Sequence, residues 1–233
     1  MNKKLLSSVP FKLEDFKSKG SFIENKKNKK RIRAILKNHF GYDNFGIDNI
    51  SSTDEKTLNA AIQLIKNKLE FNFLFNMFNG RGLGPGEIML YYLIDDFFIY
   101  EHDEYDAIDS KSTKIEIKSV RHRQETKEYN DFRIKQSINP SAVIKQLRNL
   151  TGTMGDVPTS DIKKLKMSNP EEYEKIRQEY IKSALPYFKN KTVLLINKRK
   201  MEIAYINSSI QSSDIDIDRI SSGVLRPTLR EKK

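Results

Sequence analysis

The pattern of apolar and polar residues predicts helices in the first half of the chain. The clearest one begins at Ser52, which stands at capping-box spacing from Glu55, and apolar residues follow at helical intervals. A later helix follows a Gly- and Pro-rich break and runs from Glu87 to about Ile94. Polar and basic residues dominate the rest of this half, so residues 1–80 are predicted to form a basic helical extension.

The pattern changes at Phe97, after which apolar and polar residues alternate over short runs. Alternation with a period of two is typical of strands with one buried face. It predicts a meander of three strands over residues 106–108, 114–120 and 131–134, with a turn over residues 109–112.

Helical patterns return after the meander. A helix is predicted over residues 141–150, and a longer polar helix over residues 161–185 is expected to break near Pro170. The unbroken apolar run over residues 192–196 predicts a strand that is buried on both faces. One more strand is predicted over residues 201–206.

The predicted order of helix, three-strand meander, helix and strand defines an α/β core over residues 81–206. The later strand is reached through a helix, so it can join the sheet in parallel. The basic extension over residues 1–80 precedes this core, and a loose basic tail is predicted over residues 207–233.

Composition and charge narrow the function classes. The 233 residues include 42 Lys and Arg against 31 Asp and Glu, which gives a net charge of +11 and favours a polyanionic partner such as DNA. The sequence has no cysteine, which excludes disulfides, thiolate zinc sites and cysteine nucleophiles. No apolar run has the length of a signal peptide or a membrane span, so a soluble cytoplasmic protein without a membrane partner is expected.

The densest cationic run covers residues 25–33 and includes Lys29, Lys30 and Arg31. Two interpretations of this run are open. It forms either a solvated helix face or arm, or a contact surface for the phosphate backbone of a nucleic acid.

Four residues form a group with a chemical meaning. Glu116 and Lys118 are two apart on a predicted strand, so their side chains share one face. Asp106 begins the preceding strand and would lie near Glu116 in a hairpin, and Glu87 stands in the first turn of a helix that can pack against these strands. Carboxylates brought together repel one another unless a cation joins them, and oxygen ligands favour magnesium or manganese.

These residues resemble the core of the PD-(D/E)xK nuclease superfamily. The resemblance is carried by residues 105–108 (Tyr-Asp-Ala-Ile) and 115–119 (Ile-Glu-Ile-Lys-Ser). Residues 84–87 (Gly-Pro-Gly-Glu) resemble the Gly-x-Gly-Glu helix start found ahead of that core in many bacterial and phage members. The predicted element order is also that of the family, a restriction-endonuclease-like core. The resemblance covers roughly residues 84–197, and Tyr105 stands where the family name has a proline.

The resemblance implies a role for each residue of the group. Asp106 and Glu116 would ligate magnesium, for which manganese can substitute, together with the carbonyl of Ile117. Glu87 would add a further ligand or a water-mediated contact. Lys118 would position the nucleophilic water.

Two further assignments stay open. Asp109 competes with Asp106 as the metal aspartate, and Asp106 is preferred because apolar residues follow it, whereas Asp109 enters a turn. Arg121 and Arg123 follow the proposed catalytic strand, and Gln146 lies on the helix after the meander. The two arginines are candidates for DNA contact, with a solvated strand end as the alternative. The resemblance makes Gln146 a candidate as well, because some members use a glutamine there to orient the site or hold DNA.

The sequence therefore favours a magnesium-dependent deoxyribonuclease, an endonuclease rather than an exonuclease, from a bacterial or phage-infected cell. The alternative is a non-catalytic DNA-binding or phage structural or packaging protein that keeps a nuclease-like fold. In the simplest alternative, Glu116 and Lys118 form only a structural ion pair on an exposed strand. The oligomeric state is open, with a homodimer as one option.

Overall fold

The computed structural model describes much of the chain from Phe97 onward and single residues before it. The continuous stretches are residues 97–99, 105–109, 111–123, 125–134, 140–197, 199–200, 202–206 and 210–230. The single residues are Lys27, Lys30, Arg31, Ala34, Lys56, Asn59, Gly86, Glu87 and Leu90.

The continuous stretches form a mixed α/β protein with eight strands and three α-helices. The strands are β1 (Phe97–Ile99), β2 (Ala107–Asp109), β3 (Lys114–Arg123), β4 (Glu128–Asn130), β5 (Thr192–Asn197), β6 (Glu202–Ile206), β7 (Ile215–Ser221) and β8 (Val224–Arg230). The helices are α1 (Ser141–Thr151), α2 (Thr159–Ser168) and α3 (Pro170–Lys189). The chain divides into two compact units, Met1–Ile117 with Lys200–Tyr205 and Lys118–Arg199 with Ile206–Lys233.

In the first unit, β1, β2 and the start of β3 form an antiparallel meander. Phe98 lies opposite Ile108, and Ala107 lies opposite Ile115. Phe97, Ala107 and Ile115 are buried, so one face of the meander contributes to the core of this unit. The β2–β3 hairpin was predicted from the alternation, whereas β1 was not recognised as a separate strand.

The first unit also contains most of β6, which is joined to a helical residue from the N-terminal part of the chain. The side-chain nitrogen Nδ2 of Asn59 donates to the carbonyl oxygen of Ile203 at 2.6 Å. Its oxygen Oδ1 accepts from the backbone N–H of Ile203 at 2.7 Å. One amide thus satisfies both backbone groups of a strand residue, as a neighbouring strand would.

The second unit contains an antiparallel sheet in the order β3, β4, β8 and β7, to which β3 contributes its residues from Lys118 onward. Arg121 lies opposite Asn130 at the β3–β4 junction. β7 and β8 form a hairpin whose turn residues, Ser222 and Gly223, have φ angles of 54° and 70°. Positive φ at both central residues is what a tight turn matched to the twist of the strands requires.

The prediction of a loose tail over residues 207–233 was wrong for residues 210–230. Ser212–Asp214 form a 3-10 turn, and the β7–β8 hairpin follows. Ile215, Leu225 and Leu229 are completely buried, so this hairpin is part of the core of the second unit. The strict alternation of Asp and Ile over residues 214–218 was the strand signal that the prediction passed over.

The third strand of the predicted meander lies earlier than expected. β4 ends at Asn130, and residues 131–134 have no regular secondary structure. Asp131 has a φ of 69°, a left-handed conformation that ends the extended backbone. Phe132 and Ile134 are buried on either side of exposed Arg133, which explains why this run reads as a strand in the sequence.

The helices agree with the sequence pattern. Val143, Ile144 and Leu147 form the buried face of α1. The break predicted near Pro170 is confirmed, because α2 ends at Ser168 and the Asn169 side chain accepts from the backbone N–H of Glu172 in the first turn of α3. Among the residues that the structure describes, no helix is long and apolar enough to cross a membrane.

Strand β5 is buried on both faces, as its unbroken apolar run predicted. Its residues 193–196 have no exposed surface. At the end of α3, Phe188 is also fully buried and meets the ring of Phe132 edge-on, with the ring centroids 6.3 Å apart. Edge-to-face packing at this distance is favourable for two aromatic rings.

A buried polar network joins α2 and α3 to β7. The carboxylate of Asp216 accepts a short hydrogen bond from the Tyr173 hydroxyl and one of 2.6 Å from Lys166 Nζ. Arg177 Nε lies 3.6 Å from the same carboxylate. Burial raises the pKa of Asp216, but the hydrogen bonds from Lys166 and Tyr173 outweigh this effect and hold the pKa below its usual value.

Replacing Tyr173 with Phe should lower the free energy of unfolding by about 1–3 kcal/mol, because the buried carboxylate loses a hydrogen bond. Tyr180→Phe is the matched control on the same helix. The Tyr180 hydroxyl is buried without a hydrogen-bond partner in the described part of the chain, so its removal should be neutral or slightly stabilising. Urea unfolding of both variants measures the difference, and equal losses would contradict this account.

The lowered pKa of Asp216 predicts a loss of stability in acid. Because the pKa in the folded state lies below the unfolded value of about 3.9, the ionised carboxylate stabilises the fold above that pH. This contribution disappears as the pH falls through the folded pKa. Urea unfolding can be measured from about pH 6 down to about pH 2. The free energy of unfolding should fall less steeply with decreasing pH in Asp216→Asn than in the wild type. Parallel declines would show that other groups cause the acid sensitivity.

Candidate functional site

Asp106 stands at the end of the β2–β3 hairpin, where the regular ladder stops. Its backbone N–H donates to the carbonyl oxygen of Ile115 at 2.9 Å. Its side-chain oxygen Oδ2 accepts from the backbone N–H of Ile117 at 2.7 Å. The Asp106 carboxylate is therefore fixed against the peptide that joins Glu116 to Ile117.

Glu116 lies in the first-unit part of β3 and is only 6% exposed. Alternation along the strand turns its side chain away from the face of Ile115 and Ile117, which are both buried. A carboxylate this deeply buried is costly to ionise unless donors or a cation accompany it. The hairpin thus brings an anchored carboxylate, Asp106, beside the backbone of a buried one.

The structure separates the two candidate aspartates by their roles. Asp109 is completely buried, and its oxygen Oδ1 accepts the N–H groups of Lys111 at 2.9 Å and Thr113 at 2.8 Å. These bonds close the turn between β2 and β3, a use of aspartate that is common in turns. Asp109 therefore has a clear structural function, and Asp106 is the aspartate at the Glu116–Ile117 peptide.

For two other predicted site residues, Glu87 and Lys118, the structure gives the secondary-structure element and the burial. Glu87 is helical and half-buried, between Gly86 and Leu90, which are both buried. This agrees with the helix predicted after Pro85. Lys118 follows Glu116 by two residues on β3, is half-buried and belongs to the second unit.

Asp106, Glu116 and the backbone carbonyl of Ile117 are hard oxygen donors of the kind that magnesium prefers. Within the described stretches, no three acidic, histidine or cysteine side chains come together in a way that would hold a metal ion. Magnesium usually keeps several of its waters and binds through one or two carboxylates together with substrate phosphates. The donors at this hairpin fit that mode of binding better than a closed cage of protein ligands.

The basic run near the N-terminus is represented by a few described residues. Lys27, Lys30, Arg31 and Ala34 are helical and exposed, at a spacing that puts them on one helix face. Lys29, the third candidate in this run, lies outside the described residues. The exposed face fits both interpretations of the run.

The remaining DNA-contact candidates lie in the second unit. Gln146 is exposed on α1. Arg121 is exposed near the end of β3, and Arg123 is half-buried on the same strand. Sequence reasoning missed Arg219 and Arg226, which meet the β3 arginines through shared aspartates, because it treated the β7–β8 hairpin as a tail.

Comparison with known proteins adds no family to these observations. No protein-family profile, no curated protein and no solved structure matches the chain. The resemblance to the PD-(D/E)xK superfamily therefore depends on the residues of the hairpin and on the helix start at Glu87.

The turn role of Asp109 predicts a specific stability pattern. Asp109→Ala should lower the free energy of unfolding by about 1–3 kcal/mol, because two N–H groups lose their acceptor. Asp109→Asn keeps an acceptor oxygen at the same place and should cost clearly less. Urea unfolding distinguishes the two variants. Equal losses would mean that burial of the charge, not the turn hydrogen bonds, determines the effect.

Proposed function

We propose that this chain is a metal-dependent nuclease that hydrolyses phosphodiester bonds of DNA, with magnesium as the metal and manganese as a substitute. The β2–β3 hairpin and its neighbouring elements would be its restriction-endonuclease-like core. The observation that supports the proposal best is the hydrogen bond from the Ile117 N–H to Asp106, which anchors one carboxylate beside Glu116.

Asp106, Glu116 and the carbonyl of Ile117 would hold the metal, with Glu87 as a further ligand or a water-mediated contact. When bound, the metal would supply a water of lowered pKa and would neutralise charge on the phosphate. The Ile117 N–H holds the Asp106 carboxylate in one orientation, so little reorganisation would be needed on binding.

Lys118 would act beside the carboxylates as the residue that orients the attacking water and stabilises negative charge on the phosphate. Residues two apart on a strand share a face, so its ammonium group would lie on the Glu116 side of β3. A lysine is suited to this task because its charge is compact and its three donors rotate freely.

A second function, a non-catalytic DNA-binding or phage structural or packaging protein, is supported by a different observation. Among the described residues, exposed cations occur in both units. A protein that binds DNA without cutting it would need only the cations.

Purified protein should nick supercoiled plasmid in the presence of Mg²⁺ or Mn²⁺, and EDTA should stop the reaction. Asp106→Asn, Glu116→Gln and Lys118→Ala should each reduce the nicking rate by about 10²-fold or more, the loss typical of removing a preorganised charged group. Asp109→Asn is the matched control and should keep its activity, because that aspartate closes a turn.

Circular dichroism and thermal melting establish that each variant is folded. Wild-type activity in Asp106→Asn and Glu116→Gln would refute the assignment of the site. Loss of nicking in Asp109→Asn alone would move the metal aspartate to that position. DNA binding by the wild-type protein without any metal-dependent cleavage would favour the non-catalytic function.

A further inference from the structure

Four arginines of the second unit converge on two aspartates, and we call this group the arginine cluster. Its members are Arg121 and Arg123 on β3, Arg219 on β7, Arg226 on β8, and the aspartates Asp131 and Asp218. The cluster therefore spans three strands of the sheet and the residue that follows β4.

Asp131 is the ion-pair partner of three of these arginines. Arg121 Nε lies 3.0 Å from its Oδ2, Arg226 Nη1 lies 3.8 Å from its Oδ1, and Arg219 Nη2 also contacts Oδ1. The φ of 69° at Asp131 turns the chain at this point. A non-glycine residue rarely adopts this conformation, although aspartate tolerates it better than most.

Asp218 receives the other arginine contacts. Arg123 Nη2 lies 3.0 Å from its Oδ1, and Arg219 Nη1 lies 3.7 Å from its Oδ2. The Asp218 side chain is only 1% exposed, and Thr159 on α2 donates to it at 3.1 Å. The Asn130 amide, with its oxygen facing Arg123, accepts from Nε at 2.8 Å and from Nη2 at 2.6 Å. Arg123 is thus held from two sides.

The carboxylates do not neutralise the cluster. Four guanidinium groups against two carboxylates leave two net positive charges. Near Arg226, Arg133 and Asp156 have opposite signs, whereas Glu128 lies opposite Arg123 in the β3–β4 register and reduces the surplus. Burial lowers the pKa of Arg219, and repulsion from the other three arginines lowers it further.

The exposed fraction of the arginine side chains differs strongly within the cluster. The side chain of Arg121 is 79% exposed, that of Arg123 is 31% exposed and that of Arg226 is 16% exposed. Concentrating like charges at a partly buried place is unfavourable, and ion pairs that only stabilise a fold need no surplus of cations. A surplus held in position by aspartates and an amide is the arrangement expected where an external anion completes the charge balance.

We propose that the arginine cluster is a binding surface for the phosphodiester backbone of DNA. Arginine matches phosphate through two parallel N–H···O bonds, and the planar group is already oriented here by its protein partners. A polymer fits better than a single phosphate because the guanidinium groups come from three strands of the sheet of the second unit, in which β4 separates β3 from β8. The choice of DNA as the polymer rests on the proposed nuclease function, whereas backbone binding does not require catalysis.

The test measures binding of a fluorescein-labelled DNA duplex by anisotropy, in EDTA so that no cleavage occurs, at several salt concentrations. Arg121→Ala should weaken binding by about 3–10-fold and reduce the slope of log K against log salt by about 1. Arg219→Ala is the second variant. Thermal melting verifies that both are folded, and the exposed position of Arg121 keeps the test valid if Arg219→Ala does not fold.

Lys182→Ala is the matched control, because Lys182 is 70% exposed on α3, pairs with Glu179 and carries the same charge. It should leave binding almost unchanged. The proposal would be overturned if Arg121→Ala kept the wild-type affinity and salt slope. It would also be overturned if Lys182→Ala lost as much affinity for the duplex as Arg121→Ala does. Inorganic phosphate is added as a competitor at constant ionic strength, at a few millimolar, about the level at which a weak anion site is filled. If it displaces the duplex, the cluster is a site for a small phosphate and not for DNA.

The same assay separates this proposal from the nuclease function. Arg121→Ala should weaken duplex binding in the Glu116→Gln background as it does in the wild type, although Glu116→Gln should not cut plasmid. If the wild-type protein binds through the arginine cluster but never cleaves DNA, the binding surface is retained and the nuclease function fails. If Arg121→Ala binds normally while plasmid nicking is intact, the nuclease function is retained and the surface is wrong.

Discussion

The hydrogen bond from the Ile117 N–H to the Asp106 carboxylate is the interaction on which the candidate site depends. Asp106 precedes strand β2, and this hydrogen bond ties its carboxylate to β3 at the peptide after Glu116. A backbone donor is well suited to this task, because its position is set by the strand and does not depend on a side-chain rotamer. The identity of residue 117 therefore matters less than its place in the ladder.

The two aspartates of the hairpin have the same side chain in different surroundings. The Oδ1 atom of Asp109 accepts from two N–H groups of a tight turn, and the residue is completely buried. Asp106, three residues earlier, uses one oxygen on a strand N–H and is only half-buried. Accessibility distinguishes them, and this property cannot be read from residue type.

Much of the fold could be predicted from the sequence, and the failures have physical causes. The β2–β3 hairpin, α1, the break at Pro170 and the buried strand β5 follow from periodicity and from the backbone limits of proline. The alternation over residues 214–218 signals strand β7, but the burial of its Asp216 depends on distant partners, Lys166 and Tyr173, which the sequence does not show. For the same reason the convergence of Arg121 with Arg226 was invisible, since only the sheet brings them together.

The side-chain amide of Asn59 has a consequence for association of this chain with other molecules. In a strand, the N–H and C=O of one residue point to the same side, and Asn59 occupies both at Ile203. An incoming strand could not form its ladder across that position. Natural sheets avoid unwanted growth by blocking their outer strands, and at Ile203 an added strand would find neither backbone group available.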